Sequence, residues 1–433
     1  MFRYAPLFLL IAPAATCAAD WPQFRGPAAD GHSPAKNVPV KWNQTDNVAW
    51  KSEIPGRGWS SPVMQNGRIF LTTAVVTDGS DESNAKADRS LRTLCLDASN
   101  GRILWDVEVF KQQGASSPAT IHQKNGHASP TPIITNDRLY VHFGHQGCAA
   151  LDLTGKKLWE NRSFKYPPRH GAGASPVLVE DRLIFNCDGE TDPFILALDA
   201  QSGRVAWRQP RPPTEQKQKF AFATCTVIDV GGKEQVVSPG AGAVDAFAPE
   251  TGKHLWRMQY EGYSIVPRAV FANGLVYSST SYDTPDVYCI DPQGASGDIT
   301  ETHVKWTSDN RAPMSVSVIV VGGEIYWVTD QGGIVTCADA KFGDIHWQER
   351  IGGRAHTASP VHAEGRIYFQ DEDGRCVVLK AGKQFEKLAE NSLGERSLAS
   401  FAVTDGALFI RTEPKLWRIG QAKPDPQTVN ERQ

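Results

Sequence analysis

A chain of 433 residues that is 40% hydrophobic and 9% aromatic has enough apolar material for a large core. Its net charge is −3, from 45 Lys and Arg against 48 Asp and Glu with no long run of one sign. That argues against nucleic acid as a partner, because such binders carry a basic stripe.

Residues 1–19 have the form of a secretory signal. Arg3 is a short positive start, residues 6–15 are an apolar run, and Cys17-Ala18-Ala19 is a small-residue cleavage site. Cleavage near Ala19 is expected, with export to the periplasm or the outside. Lipid attachment at Cys17 is the alternative. A membrane helix needs about 20 apolar residues, and neither this stretch nor any later one supplies them, so no transmembrane span is expected. Residues 20–46 form a lead-in whose opening, WPQFRGP, is too rich in Pro to be a strand. Residues 47–53, around Val48-Ala49-Trp50, have the look of a Trp-bearing strand that lacks the turn before it.

The organising signal comes next. LDASNGRILW ends at Trp105 and reads as a strand end, a turn of Asp, Ser, Asn and Gly, and a new strand. It recurs as LDLTGKKLW to Trp159, LDAQSGRVAW to Trp207, FAPETGKHLW to Trp256 and ADAKFGDIHW to Trp347. IDPQGASGDITETHVKW, ending at Trp306, is the same unit with a longer turn. With Trp50 included, the spacings run from 41 to 55 residues, which matches a propeller blade period of about 40–50. Each unit starts with Ser-Pro or a similar pair (Ser61-Pro62, Ser129-Pro130, Ser175-Pro176, Ser359-Pro360). It then shows a polar turn, an apolar strand, a loop, a third strand, the Asp/Gly turn and the Trp strand. The seventh unit loses its Trp after Lys380-Ala381-Gly382, and the eighth stops after three strands near residue 420. Pairing of the orphan strand 47–53 with the eighth unit would close a ring and leave only short protected edges. The expected fold is therefore all-β: an eight-bladed β-propeller of four-stranded antiparallel blades over residues 47–420, followed by a flexible tail, 421–433.

Eight cysteines less Cys17 leave seven, an odd number. Cys95, Cys289 and Cys337 each precede the turn's acidic residue by two, where the third repeat has Ala197, and Cys148 and Cys376 fall in matching strands. A small buried residue explains these positions better than pairing does. No Cys-x-x-Cys is present, so neither a zinc ribbon nor haem attachment is supported. His142 and His145 in HFGHQG, and the acidic turns at Asp188-Gly189-Glu190-Thr191-Asp192 and Asp371-Glu372-Asp373-Gly374, lack complete metal-ligand spacing. No metal is expected.

The Asp-x-x-Thr/Ser-Gly-x-x-x-Trp signature resembles the tryptophan-docking repeat of the quinoprotein, or PQQ-like, eight-bladed propellers. With WPQFRGP and FEKLAENSLGE it resembles a secreted bacterial branch of that family. The same repeat occurs in the propeller lipoprotein of outer-membrane β-barrel assembly, which binds no quinone. The resemblance implies a docking role for Trp50, Trp105, Trp159, Trp207, Trp256, Trp306 and Trp347. Quinoprotein dehydrogenases of the superfamily often carry adjacent, disulfide-bonded cysteines against pyrroloquinoline quinone, plus Glu, Asn and Asp around Ca²⁺. This chain has no adjacent cysteines and no matching Ca²⁺ motif. No cofactor and no catalytic residue are expected, with PQQ and Ca²⁺ as the alternative.

The connection into each first strand carries a basic or aromatic residue: Arg57 and Trp59, His127, Arg169 and His170, Lys219, Tyr263, Arg311, Arg354 and His356, and Arg396. First strands are innermost in a propeller, so these residues should converge at one mouth of the central channel. An electropositive, partly aromatic funnel is expected there, suited to an anionic or polar small ligand or to a protein. The expectation is an exported, monomeric, non-catalytic binding or assembly platform of the bacterial envelope. A PQQ-dependent alcohol or sugar dehydrogenase is the alternative, and a glycan-binding module stacking sugars on Trp59 and Tyr263 is a third possibility.

Overall fold

The computed structural model describes residues 20–116, 121–280 and 282–421, so the segment 1–19 expected to be a signal, with Cys17, and nearly all of the expected tail lie outside the described residues. Eight small sheets follow one another along the chain. Blade 1 takes Val63–Gln65, Arg68–Val76, Arg89–Asp97 and Ile103–Gln112. Blades 2 to 7 repeat this order, each as four antiparallel strands, and start at Ile133, Val177, Thr226, Val270, Ile319 and Val361. Blade 8 has three strands of its own, Ala402–Thr404, Ala407–Arg411 and Lys415–Ile419, and its fourth is Val48–Glu53 from the N-terminal side. The ring is thus closed by the orphan strand. Helix is confined, among the described residues, to two single 3₁₀ turns at Gly114–Ser116 and Gly144–Gln146, and no helix is long and apolar enough to cross a membrane.

Two sets of hydrogen bonds tie blade to blade. Near the axis, a backbone N–H at the start of one blade donates to a Ser or Thr hydroxyl of the next. Ser61 donates to Thr131, Thr131 to Ser175, Ser175 to Thr224, Ser317 to Ser359, Ser359 to Ser400 and Ser400 back to Ser61, at 2.9–3.2 Å. Blade 2 uses Thr131-Pro132 in this place, not Ser129-Pro130; the Ser129 hydroxyl instead donates to Asn125. Blade 5 has Arg268, whose N–H donates to Ser317 but which offers no hydroxyl to blade 4. The Thr226 hydroxyl bridges that gap by donating to Ala269 O at 2.5 Å.

At the outer edge, the indole N–H of a Trp donates to the carbonyl of the next blade's turn. Trp50 reaches Ala98, Trp105 reaches Leu153, Trp159 reaches Ala200 and Trp207 reaches Pro249. Trp306 reaches Ala340, and Trp347 reaches Gly382 in the turn that is not followed by a Trp. The turn glycines Gly101, Gly155, Gly203, Gly252 and Gly343 have φ between +70° and +91° and lie under the neighbouring indole, where a Cβ would overlap the ring. In blades 1 to 6 the residue opposite the Trp in the third strand is small (Cys95, Ala150, Ala197, Ala246, Cys289 and Cys337), whereas in blade 8 Trp50 faces Arg418. That explains the positions of Cys95, Cys289 and Cys337, and all seven described cysteines are free and buried. Trp256 departs from the pattern. Its neighbour's turn is the long one, so its N–H donates to Gln235 Oε1 within its own blade. The extra turn residues Gly297–Asp298 instead add a parallel strand to the outer edge of blade 4.

The lead-in closes the channel mouth where the first strands end. Trp21 bridges to Met64, Pro22 O accepts from Ile134, Phe24 O accepts from Arg268, and Arg25 donates to Val318 O. His32–Ser33 then pairs in parallel with Val361–Ala363. The acidic turn at Asp188 belongs to a buried charge network joining blades 3 and 4. The Arg211 guanidinium grips both Asp188 oxygens at 2.7 Å and touches Asp245 at 3.3 Å, while Arg257 and His254 meet Asp245 at 2.7 and 3.0 Å. The Asp188 carboxylate therefore serves an arginine.

Gly203→Ala should lower the melting temperature, because the new Cβ meets Trp159 in a left-handed backbone; an unchanged melting curve would contradict the docking geometry. Arg211→Ala leaves two carboxylates buried without their shared cation, and a loss of about 3–5 kcal/mol is expected in denaturant unfolding. Burial pushes His142 down to about 3 and His356 and His362 to about 4. The unfolded chain binds protons at these sites as pH falls below about 6.5, while the folded chain stays neutral there. Stability conferred by neutral burial is thus present above that value and lost as pH falls towards about 4. Melting temperature measured from neutral to mildly acidic pH should fall steadily, and His142→Leu should blunt the fall.

Candidate functional site

Antiparallel blades place two kinds of segment on the same face: the connections into the first strands, and the loops between second and third strands. This face is opposite the lead-in. The predicted funnel residues lie in the first kind, and their counter-charges come from the second. Arg57 meets Glu413 at 2.8 Å, and Arg396 reaches the same carboxylate at 3.9 Å. Arg169 pairs with Glu190 at 2.7 Å. Part of the rim is therefore charge-paired, at Arg57, Arg396 and Arg169.

The named residues divide by depth. His356 is 1% exposed and Trp59 6%, with Arg396 stacked over the Trp59 ring at 5.3 Å. Lys219, Arg311 and Arg354 point to solvent. On the side of blades 2 to 5 an aromatic run leads outward. His122 packs edge-on against His170 at 5.6 Å, then Phe220 at 5.7 Å, Tyr263 at 5.4 Å and Tyr282 at 6.1 Å follow, and Tyr282 is 64% exposed. Burial lowers both His122 and His170, so this run is neutral at pH 7. His142 and His145 do not act together as ligands. His142 is buried against Phe185 at 4.2 Å.

Sequence reasoning missed the segment that covers this mouth. Residues 121–126, in the connection from blade 1 to blade 2, reach across it. Lys124 Nζ meets Glu372 at 2.8 Å and Asp330 at 3.9 Å, on blades 7 and 6. Arg396 donates to Gln123 O at 2.6 Å, and the His122 N–H donates to His170 O. Asp330 also accepts the N–H groups of Met314 and Ser315. The signal that would have found Glu372, Asp330 and Glu413 is topological, since all three sit in loops between second and third strands.

A quinone held over a divalent ion needs oxygen ligands converging on one point. Among the described residues no group of three His, Cys, Asp or Glu side chains does so. Asp330, Glu372 and Glu413 are each committed to N–H donors or to Lys and Arg. Each described cysteine is buried and free, with none joined in a disulfide. The residues present do not fit that cofactor pair.

Among curated proteins, the chain is 23% identical over 378 residues to the outer membrane protein assembly factor BamB of Bordetella pertussis, covering 83% of this chain and 86% of that protein. It is 22% identical over 363 residues to the quinohemoprotein alcohol dehydrogenase ADH IIB of Pseudomonas putida, covering 78% of this chain and 49% of that one. The chain thus spans about half the length of that dehydrogenase. Among solved structures, BamB from Moraxella catarrhalis aligns with a TM-score of 0.56 at 14% identity, covering 86% of this chain and 99% of that one. The quinohemoprotein alcohol dehydrogenase from Comamonas testosteroni aligns with a TM-score of 0.65 at 14% identity, covering 94% and 82%. Such identities show the fold alone. A family model matches residues 35–236 and 295–412, and the chain belongs to that family of PQQ-like propellers, described as outer membrane protein assembly factor BamB.

Proposed function

We propose that this chain is exported to the bacterial envelope and serves there as a non-catalytic binding and assembly platform, with the funnel face as its contact surface. The observation that carries this reading is the match to the Bordetella assembly factor, which extends over 86% of that protein. The charge pairing at the mouth supports it, because carboxylates already engaged by Lys124, Arg57 and Arg396 are poor ligands for a catalytic ion. The exposed Tyr282 and its neighbour Tyr263 offer the aromatic anchors that protein interfaces favour.

The second reading, a quinone-dependent dehydrogenase, is favoured by the similarity to the Pseudomonas enzyme. Adding PQQ and Ca²⁺ to the purified chain separates the two. The platform reading expects no dye reduction with alcohols or sugars and no bound-quinone absorbance. Saturable dye reduction, lost on Arg169→Ala or His170→Ala, would overturn it. A photo-crosslinking residue placed at Tyr282 in envelope preparations should give one discrete partner band, absent when the same probe replaces Lys341 on the opposite face.

A further inference from the structure

A cavity of about 220 Å³ lies beside the segment that covers the mouth, between the long central hairpin of blade 1 and the connection into blade 2. Arg57, Arg89, Glu82, His122, Asn125 and His127 are among its walls. Arg89 is 3% exposed, and its guanidinium donates to the carbonyl oxygens of Glu82, Asn84 and Ala87, not to carboxylates. Arg57 shares the single Glu413 carboxylate with Arg396, and its Nε has no partner among the described residues. His127 adds no charge, since burial pushes it down to about 3, and its Nδ1 meets Gln112 Oε1 at 3.1 Å. The Gln112 amide nitrogen, on a side chain 2% exposed, is left without an acceptor.

Arg57 and Arg89 thus both line the cavity, Arg89 in the field of the Glu82 and Asp78 carboxylates but bonded only to carbonyls, and Arg57 with its Nε left without an acceptor among the described residues. A buried N–H donor left without an acceptor is costly, and a guanidinium fork matches the paired oxygens of a carboxylate or phosphate. We propose that this cavity binds a small ligand through its oxyanion group, held between Arg57 and Arg89, with residues 121–123 as the wall on the channel side. The site does not depend on the platform role: a failure to bind anions leaves partner capture untouched, and the reverse also holds.

The test is isothermal titration of the full exported chain at low salt with acetate, succinate and inorganic phosphate in separate arms. One saturable site is expected, and whether the carboxylates or phosphate fill it identifies the group. Arg57→Gln should weaken binding by about tenfold or more, the usual effect of losing a charged hydrogen bond, while Arg57→Lys retains most of it. Ser83→Trp, which fills the cavity from its exposed rim and removes no charge, should abolish binding even if Arg57→Gln alters local folding. Lys341→Gln, exposed on the opposite face, should leave it unchanged. No saturable heat up to about 10 mM of any anion, or equal affinity in wild type, Arg57→Gln and Ser83→Trp, overturns the site.

Discussion

The structure depends on handing a hydrogen bond from each blade to the next at two radii. At the axis a backbone N–H meets a hydroxyl, and at the rim an indole N–H meets a turn carbonyl. A single bond of either kind contributes only about 0.5–1.5 kcal/mol net. Their force comes from closure: once Val48–Glu53 pairs with Lys415–Ile419, every blade has a neighbour on both sides, only short protected edges remain, and no bond can open without straining its neighbours. Closure also dictates composition. The inner position must be Ser or Thr, because only a short hydroxyl accepts there. The turn must contain Gly, because the indole lies where a Cβ would be, and in blades 1 to 6 the third strand carries Ala or Cys opposite the Trp, whereas blade 8 sets Arg418 opposite Trp50.

Both rules fail at the same seam, between blades 4 and 5. The inner hydroxyl is replaced by Arg268, and the outer Trp256 finds its partner in its own blade. The seam is held by other means. Thr226 bonds across it, Arg268 reaches out to Phe24 of the lead-in, and the inserted Gly297–Asp298 strand lies along blade 4. The span that the family model leaves unmatched, 237–294, covers this seam. Divergence there is tolerated because covalent continuity, the added strand and the lead-in substitute for the two repeat contacts. The buried Arg211, Asp188 and Asp245 network stiffens the adjacent blade pair from within.

What repeats was legible in the sequence, and what happens once was not. The Trp periodicity counted the blades and exposed the missing strand at Val48–Glu53, because each unit must satisfy the same sterics. The start of blade 2 was misplaced by two residues, since Ser129-Pro130 looks like the other starts while Thr131-Pro132 takes the structural position. The charge of the funnel was read from one set of connections. Glu190 lies about one strand pair beyond Arg169 and returns to it by antiparallel folding, while Glu413 meets Arg57 only because ring closure sets blade 8 beside blade 1. Lys124 carried no signal at all, because nothing local distinguishes a lysine that will cross a channel mouth from one that faces water.

Specificity in such a ring has to come from its non-repeating parts. Eight blades that obey the same contact rules present nearly the same inner surface, and a fold shared by assembly factors and dehydrogenases does not choose between them. In this chain both mouths are shaped by segments outside the repeat. The lead-in carries Arg25 to one end, where it bonds carbonyls of the lead-in and of blade 6. Residues 121–126 carry Lys124 across the other end, to carboxylates of blades 6 and 7. The channel is thus less a conduit than a frame that holds these two segments in register. Chemical recognition then falls to the rim, where the covering segment meets blade 1 and where the aromatic run from His122 to Tyr282 comes to the surface.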